Sequence, residues 1–257
     1  MGFSADWLAL REPADHAARD RALLAAAGQA AGPRPVIVDL GCGTGSTIRA
    51  FAGALAGQAE WRLVDNDPDL LEHAARAADA TVTTHRIDLR DLAALPVDGA
   101  SLVTASALLD LCARDWVEDL ARRLARLGLP FYAALNYDGV MHWSPADHRD
   151  DAVTQAFNRH QRGDKGFGPA LGPDAPDVIA EIFTKAGYRV QQADSPWTIG
   201  PDQAALHHQL LQGIADAAAE AGATDAPAWG AARVAAVGGA MCHIGHRDIL
   251  ALPGGAR

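Results

Sequence analysis

The chain predicts an α/β fold, a mostly parallel sheet with helices on both faces. Three observations lead there. Short apolar runs bounded by turn residues recur, as at Val36-Ile37-Val38 and Ala100 to Ala105, and strands buried on both faces read this way. Amphipathic stretches of helical period, such as Asp115 to Leu127, lie between them. The first apolar run passes directly into Gly41, Gly43 and Gly45 before another helical pattern. A strand, a glycine turn and a helix in that order place a ligand at the sheet edge.

Composition narrows the class. At 257 residues with 49% apolar content, one large domain spanning 1–257 has ample core. The formal charge is −10 and no basic run interrupts it, which disfavours a nucleic-acid partner. Arg122, Arg123 and Arg126 read as a solvated helix face. Cys42, Cys112 and Cys242 are widely spaced; the expectation is no disulfide, no metal site and a reducing compartment. Neither a membrane-length apolar run nor a leader pattern is visible, so the expected location is the cytoplasm, without a membrane partner.

Taken in order, residues 1–32 predict a helical cover in which Pro13 separates a short first helix from a longer second. The glycine loop follows, then a helix from Thr47 to Leu55. Trp61 to Val64 is a second strand, broken at Asp65-Asn66-Asp67-Pro68. Asp67, before Pro68, suits the N-cap of the next helix, which leaves Asp65 free. Thr81 to Ile87 is a third strand ending at Asp88-Leu89, and Ala100 to Ala105 a fourth, followed by Ser106 and Leu108. Leu129 to Leu135 is a fifth. From Asn136 the chain turns polar and rich in Gly, Pro, His and aromatics, and only Ala152 to His160 has helical character. Residues 137–176 therefore predict a lid insertion after strand five. Helix Asp177 to Ala186, a strand at Tyr188, a loop at Pro196 to Gly200, two more helical stretches and a last strand at Cys242 to Leu252 complete seven strands.

Asp39-Leu-Gly41-Cys-Gly43-Thr-Gly45 has the form D-x-G-x-G-x-G, and Val64-Asp65-Asn-Asp67-Pro68-Asp-Leu-Leu71 the form V-D-x-D-P-x-x-L. These resemble motifs I and II of the class I S-adenosylmethionine (SAM)-dependent methyltransferases. The resemblance covers the first half motif by motif and the second half by element order. It implies a Rossmann-like three-layer sandwich, a seven-stranded sheet whose last strand is antiparallel, and SAM as cofactor with S-adenosylhomocysteine as product. By the same resemblance the loop of Gly41, Cys42, Gly43 and Gly45 wraps the amino-acid part of SAM, and Asp39 supports the loop or reaches the methionine ammonium, directly or through water. Asp65 meets the ribose, and Asp88 and the Leu89 amide the adenine; Asn66 and Ser106 are further cofactor-binding candidates, and Ser106 and Leu108 are expected to line the face toward the acceptor. A carboxylate suits a cis-diol because one planar acceptor pair faces two adjacent donors.

The acceptor side rests on the lid and the N-terminal cover. Trp7, Arg11, Leu108, Asn136, Tyr137, Trp143 and Lys165 are candidate acceptor-binding residues. His142 and His160 are candidate general bases, since imidazole titrates near neutrality. The expected reaction is methyl transfer to O or N of a small soluble molecule. Two alternatives stand beside it: a SAM-binding partner or regulatory protein without turnover, and an NAD(P)-linked oxidoreductase. Against the second, Ser46 occupies the place where a dinucleotide loop carries its third glycine.

Overall fold

The structure, a computed structural model, describes residues 3–254. Its elements in chain order are α1 (Ala5–Ala18), α2 (Arg21–Ala30), β1 (Val36–Leu40), α3 (Ser46–Ala50), β2 (Glu60–Asp65), α4 (Pro68–Ala77), β3 (Thr81–Arg86), β4 (Leu102–Ser106), α5 (Arg114–Leu127), β5 (Phe131–Ser144), α6 (Asp150–Gln161), α7 (Ala175–Lys185), β6 (Tyr188–Asp194), β7 (Trp197–Ile199), α8 (Ala204–Glu220), α9 (Ala226–Ala236) and β8 (Met241–Pro253).

The strands lie in the order β3-β2-β1-β4-β5-β8-β6. The first five are parallel neighbours, whereas β8 enters antiparallel between β5 and β6. The Rossmann-like order and the antiparallel last strand are those the resemblance implies. The eighth strand, β7, pairs with β8 at Trp197↔Ile244 through Ile199↔Cys242, where the sequence reads as a loop. Three residues are too few to show a period.

Both faces are covered, as the continuous apolar strands require. Val38, Val103 and Phe131 pack against Val117 and Leu120 of α5 and against Phe183 of α7. On the opposite face Ile37, Leu63 and Tyr132 meet Leu23 and Ala27 of α2, Phe51 after α3 and Leu71 of α4. A third cluster lies beyond the parallel strands. There Tyr137, Met141 and Trp143 of the long β5 meet Trp197, Ile199, Leu211 and Trp229 beneath α6, α8 and α9.

Two boundaries differ from the sequence reading. Helix α1 runs unbroken through Pro13, and the break comes at Arg19. A single proline removes one backbone donor, while the Arg11–Asp15 pair spans it on the polar side and Leu10, Ala14 and Ala18 pack on the other. Asp20 then caps α2 by accepting from the Leu23 amide at 2.7 Å. The second difference is β5, which continues to Ser144 instead of ending near Leu135. Register shifts between Ala133 and Asn136 and between Tyr137 and Met141 interrupt its alternation, so no unbroken period marks the extension.

Candidate functional site

Strand β1 delivers its C-terminal end into a loop of positive-φ glycines: Gly41 at +62°, Gly43 at +52° and Gly45 at +80°. L side chains rarely adopt such angles. Space is also short at the second of them, where a Cβ on Gly43 would lie 3.0 Å from Leu8 Cδ1. The loop thus passes under α1 with its backbone uncovered toward a cleft. The Cys42 amide donates to the Val64 carbonyl at 3.1 Å, tying the loop to β2. Burial pushes the Cys42 thiol far up, so it serves as a small wall residue and not as a nucleophile.

The cleft encloses about 1160 Å³, its open mouth included. Gly41, Cys42, Gly43, Asp65, Asn66, Asp88, Leu89, Ser106 and Leu108 line it together. They come from the C-terminal ends of β1 to β4, where open α/β sheets keep their ligands. Gly45 stands behind the loop, where a Cβ would meet Ala74 Cβ at 3.3 Å. Arg11 and Lys165 also line the cleft.

The acidic side chains already carry local bonds. Asp65 accepts from the Gly43 amide at 3.0 Å and from the Asp67 amide at 3.1 Å. Each oxygen keeps a further lone pair. Asp67 caps α4 through the Asp69 and Leu70 amides. Asp88 is exposed and held by Arg90, whose hydrogen bonds lower its pKa to about 2. Its neighbour Leu89 is fixed through its carbonyl, which accepts from Trp116 Nε1 at 2.7 Å.

Asp39 lies behind the loop and is fully buried. Its Oδ1 accepts from Thr104 Oγ1 at 2.8 Å, while Oδ2 has no partner. Burial raises its pKa to about 6, with the Thr104 and Thr47 hydroxyls and then the Arg19 charge pulling the other way. Arg19 Nη2 donates to Ser106 Oγ at 2.8 Å. Sequence reading missed Arg19, because nothing local marks the residue that ends α1 as one that turns inward. It also missed Leu8, Thr44, Thr47, Leu111 and Phe167 of the cleft wall. Phe167 packs edge-on against Trp116 at 5.5 Å between ring centroids, a contact across distant segments.

Other candidates lie away from the cleft wall. His142 projects to the exposed side of β5, opposite His243. His160 sits one side chain back: its Nε2 is 3.0 Å from Glu220 Oε2, and its Nδ1 is 3.2 Å from Lys165 Nζ. Asn136, Tyr137 and Trp143 are buried, the last against Trp229, and the Tyr137 hydroxyl donates to Asn158 Oδ1 at 2.7 Å. Trp7 packs on the third core cluster. Arg11, by contrast, reaches the cleft wall, where it forks onto Asp15 at 2.9 and 3.1 Å and lies 5.0 Å from the Trp197 ring. Among the described residues no group of three or more His, Cys, Asp or Glu is placed to hold a metal ion. No helix among them is long and apolar enough to cross a membrane.

Comparison with known proteins agrees with this arrangement. Residues 37–130 match the family model described as a methyltransferase domain. A stretch of 94 residues is 38% identical to the biotin biosynthesis bifunctional protein BioCD of Bordetella avium, covering 37% of this chain and 19% of that protein. The chain therefore spans only about a fifth of that relative's length. Among solved structures, the cyclopropane synthase MmaA2 of Mycobacterium tuberculosis superposes with a TM-score of 0.55 at 12% identity, over 97% of this chain and 94% of that one. A cyclopropane-fatty-acyl-phospholipid synthase-like protein of Lactobacillus casei gives 0.55 at 15% identity, over 98% and 95%. At such identities the likeness is one of fold.

Proposed function

We propose that this chain, whose residues 37–130 match a methyltransferase-domain model, is a class I SAM-dependent methyltransferase and transfers a methyl group from SAM to an O or N atom of a small soluble molecule. One observation carries the reading: the glycine loop, Asp65, Asp88 and Ser106 open onto a single cleft at the ends of four adjacent strands.

The residues present suit the cofactor. Positive φ at Gly41 and Gly43 leaves the loop backbone bare where an amino-acid chain would lie. The unpartnered Oδ2 of Asp39 is a free acceptor behind that loop. Asp65 and Asn66 lie at the β2 end for the ribose, and Asp88 and Leu89 at the β3 end for the adenine.

Bound there, SAM supplies a methyl group already activated by its sulfonium. The protein's task is then to align the acceptor and exclude water. Leu108, Leu111 and Phe167 provide the apolar wall on the acceptor side. No histidine lines the cleft among the described residues. Lys165, whose pKa burial lowers, is the cleft group we assign to meeting the acceptor, with His160 holding its ammonium. Of the expected lid of residues 137–176, the part beyond β5 carries Lys165 and Phe167 to the cleft, and with Leu8 and Arg11 of α1 it belongs to this acceptor side in the same proposal. The acidic chain favours a small solute over nucleic acid.

Calorimetric titration with SAM and S-adenosylhomocysteine, with NADH as control, tests the reading. Micromolar binding of the first two alone is expected, followed by S-adenosylhomocysteine release when acceptors are supplied. Binding of NADH in their place would overturn it.

A further inference from the structure

We propose that Lys165 is the base that takes the acceptor's proton, and that His160 and Glu220 form a relay carrying that proton from the cleft to solvent. The inference rests on the methyl-transfer reading above and adds to it the fate of the proton.

Methylation of an O–H or N–H group must release a proton. As the acceptor's lone pair forms the bond to carbon, the electron pair of the broken C–S bond stays on sulfur. The acceptor's bond to hydrogen then breaks toward the acceptor, and the proton needs a lone pair to receive it. Arginine cannot supply one at any accessible pH, whereas lysine can. Of the chain's 22 basic residues only Lys165 and Lys185 are lysines. Lys185 pairs with Glu181 on the exposed side of α7. Lys165 lines the cleft, and burial lowers its pKa, which brings its neutral form nearer to the working range of a base.

Two hydrogen bonds lead from Lys165 to the surface. Its Nζ is 3.2 Å from His160 Nδ1, and His160 Nε2 is 3.0 Å from Glu220 Oε2. An ionised carboxylate only accepts, so Glu220 holds a proton on Nε2 and leaves the Nδ1 lone pair facing Lys165. A proton passed from Nζ to Nδ1 releases the one on Nε2 to Glu220, whose side chain is 72% exposed against 24% for His160. Gln161 Oε1 lies 3.2 Å from Nδ1 and accepts from it once it is protonated. Neighbouring charges are engaged elsewhere. Arg159 donates to the Ala221 carbonyl, Arg162 to Asp174, and Asp164 accepts from the Gly166 and Gly168 amides. Arg11, also on the cleft wall, is held by Asp15. Glu220 is thus the charge that acts on Lys165, opposing the effect of burial.

The test reads Lys165 directly, by NMR of the full chain loaded with S-adenosylhomocysteine. Lysine carrying isotope labels at Cε and Nζ is incorporated in a Lys185→Arg background, so that Lys165 gives the single lysine signal. Its Cε shift should follow a titration centred below the ordinary lysine value of 10.5, and further below it in Glu220→Gln, where the opposing charge is gone. Exchange of its amino protons with water at fixed pH should slow several-fold in His160→Leu, where the relay is cut. Titration at or above 10.5 would make Lys165 a fixed cation for an anionic acceptor and overturn the inference. So would a titration that ignores Glu220→Gln, or an exchange rate that ignores His160→Leu. A wild type that binds no S-adenosylhomocysteine in calorimetry would instead remove the methyl-transfer reading, a failure visible before any lysine is titrated.

Discussion

The Asp65 carboxylate accepts a hydrogen bond from the Gly43 amide at 3.0 Å, so the end of β2 and the glycine loop are one mechanical unit. The residue assigned to the ribose also fixes the loop assigned to the amino-acid part. Asp65→Ala should therefore reduce SAM affinity by roughly 10- to 100-fold, since hydrogen bonds to a charged group contribute about 1.5–3 kcal/mol. Asp65→Asn keeps an acceptor for Gly43 and should lose less. Calorimetry on both, with circular dichroism confirming the fold, checks the order of the two effects.

Gly43 and Leu8 make a second pair across the same loop. An alanine at Gly43 must take φ near +52° and place its Cβ 3.0 Å from Leu8 Cδ1. The backbone part costs roughly 1–2 kcal/mol, and the clash pushes α1 away from the loop. Adding Leu8→Ala removes the clash and leaves the backbone strain. The double variant should thus be less destabilised than the sum of the single variants. Denaturant unfolding of the four proteins measures this, and strict additivity would show that α1 does not press on the loop.

The glycine loop, Asp65 and Asp88 were legible in the sequence because each sits within a few residues of a strand end. Strand, turn and chemistry there share one short segment. Leu8 and Phe167 reach the cleft, and Arg19 the back of its Ser106 wall, only through packing between distant segments, and no spacing encodes that. His142 shows an intermediate case. Its neighbours Met141 and Trp143 are buried, so strand parity alone turns His142 outward once β5 is known to continue. The polar residues about Gly139 and the register shift hid that continuation. Pro13 misled for a different reason: its removal of one backbone bond is local, while the packing of α1 is spread over its length.

Gly28 of α2 faces the turn after α3, and a Cβ there would lie 2.1 Å from the Ala54 carbonyl oxygen. Backbone cannot rotate aside as a side chain can. Gly28→Ala should destabilise the fold by about 3 kcal/mol, the upper part of the usual range for overpacking. It should do so with little change in cofactor affinity per folded molecule, because Gly28 lies outside the cleft wall. Chemical denaturation and calorimetry together separate the two effects.

The α1 latch should respond to charge. Glu12 pairs with Arg49 of α3 through both carboxylate oxygens. Burial pushes its pKa up, but the Arg49 hydrogen bond and charge more than offset this and leave it lowered. A lowered carboxylate stabilises the fold above its unfolded pKa and loses that contribution as pH falls through the folded value. Glu12→Gln should therefore narrow the stability gap between neutral and acidic buffer. Limited proteolysis should cut α1 faster in the variant at neutral pH, whereas equal rates would show that apolar packing alone holds the helix.

Asp39 behaves in the opposite sense. Burial raises its pKa from the ordinary carboxylate value to about 6, so the folded state binds the proton more tightly than the unfolded one. Its contribution to stability is fully present below the unfolded pKa and is lost as pH rises through about 6. Asp110 is shifted in the same direction, by burial, to about 6, so the wild-type slope has two sources. Asp39→Asn removes one of them. It should stabilise the empty protein at neutral pH by roughly 1–3 kcal/mol, the scale of a two-unit shift, and flatten the thermal midpoint between about pH 4 and pH 7. Cofactor binding should show the reverse preference, because a cationic amino group favours the ionised carboxylate. Wild-type affinity for S-adenosylhomocysteine is then expected to weaken as pH falls through about 6, and that of Asp39→Asn to be weaker throughout with a shallower slope. A variant that is stabilised yet binds with the wild-type pH profile would leave Asp39 as a support of the loop and take it out of the ligand's reach.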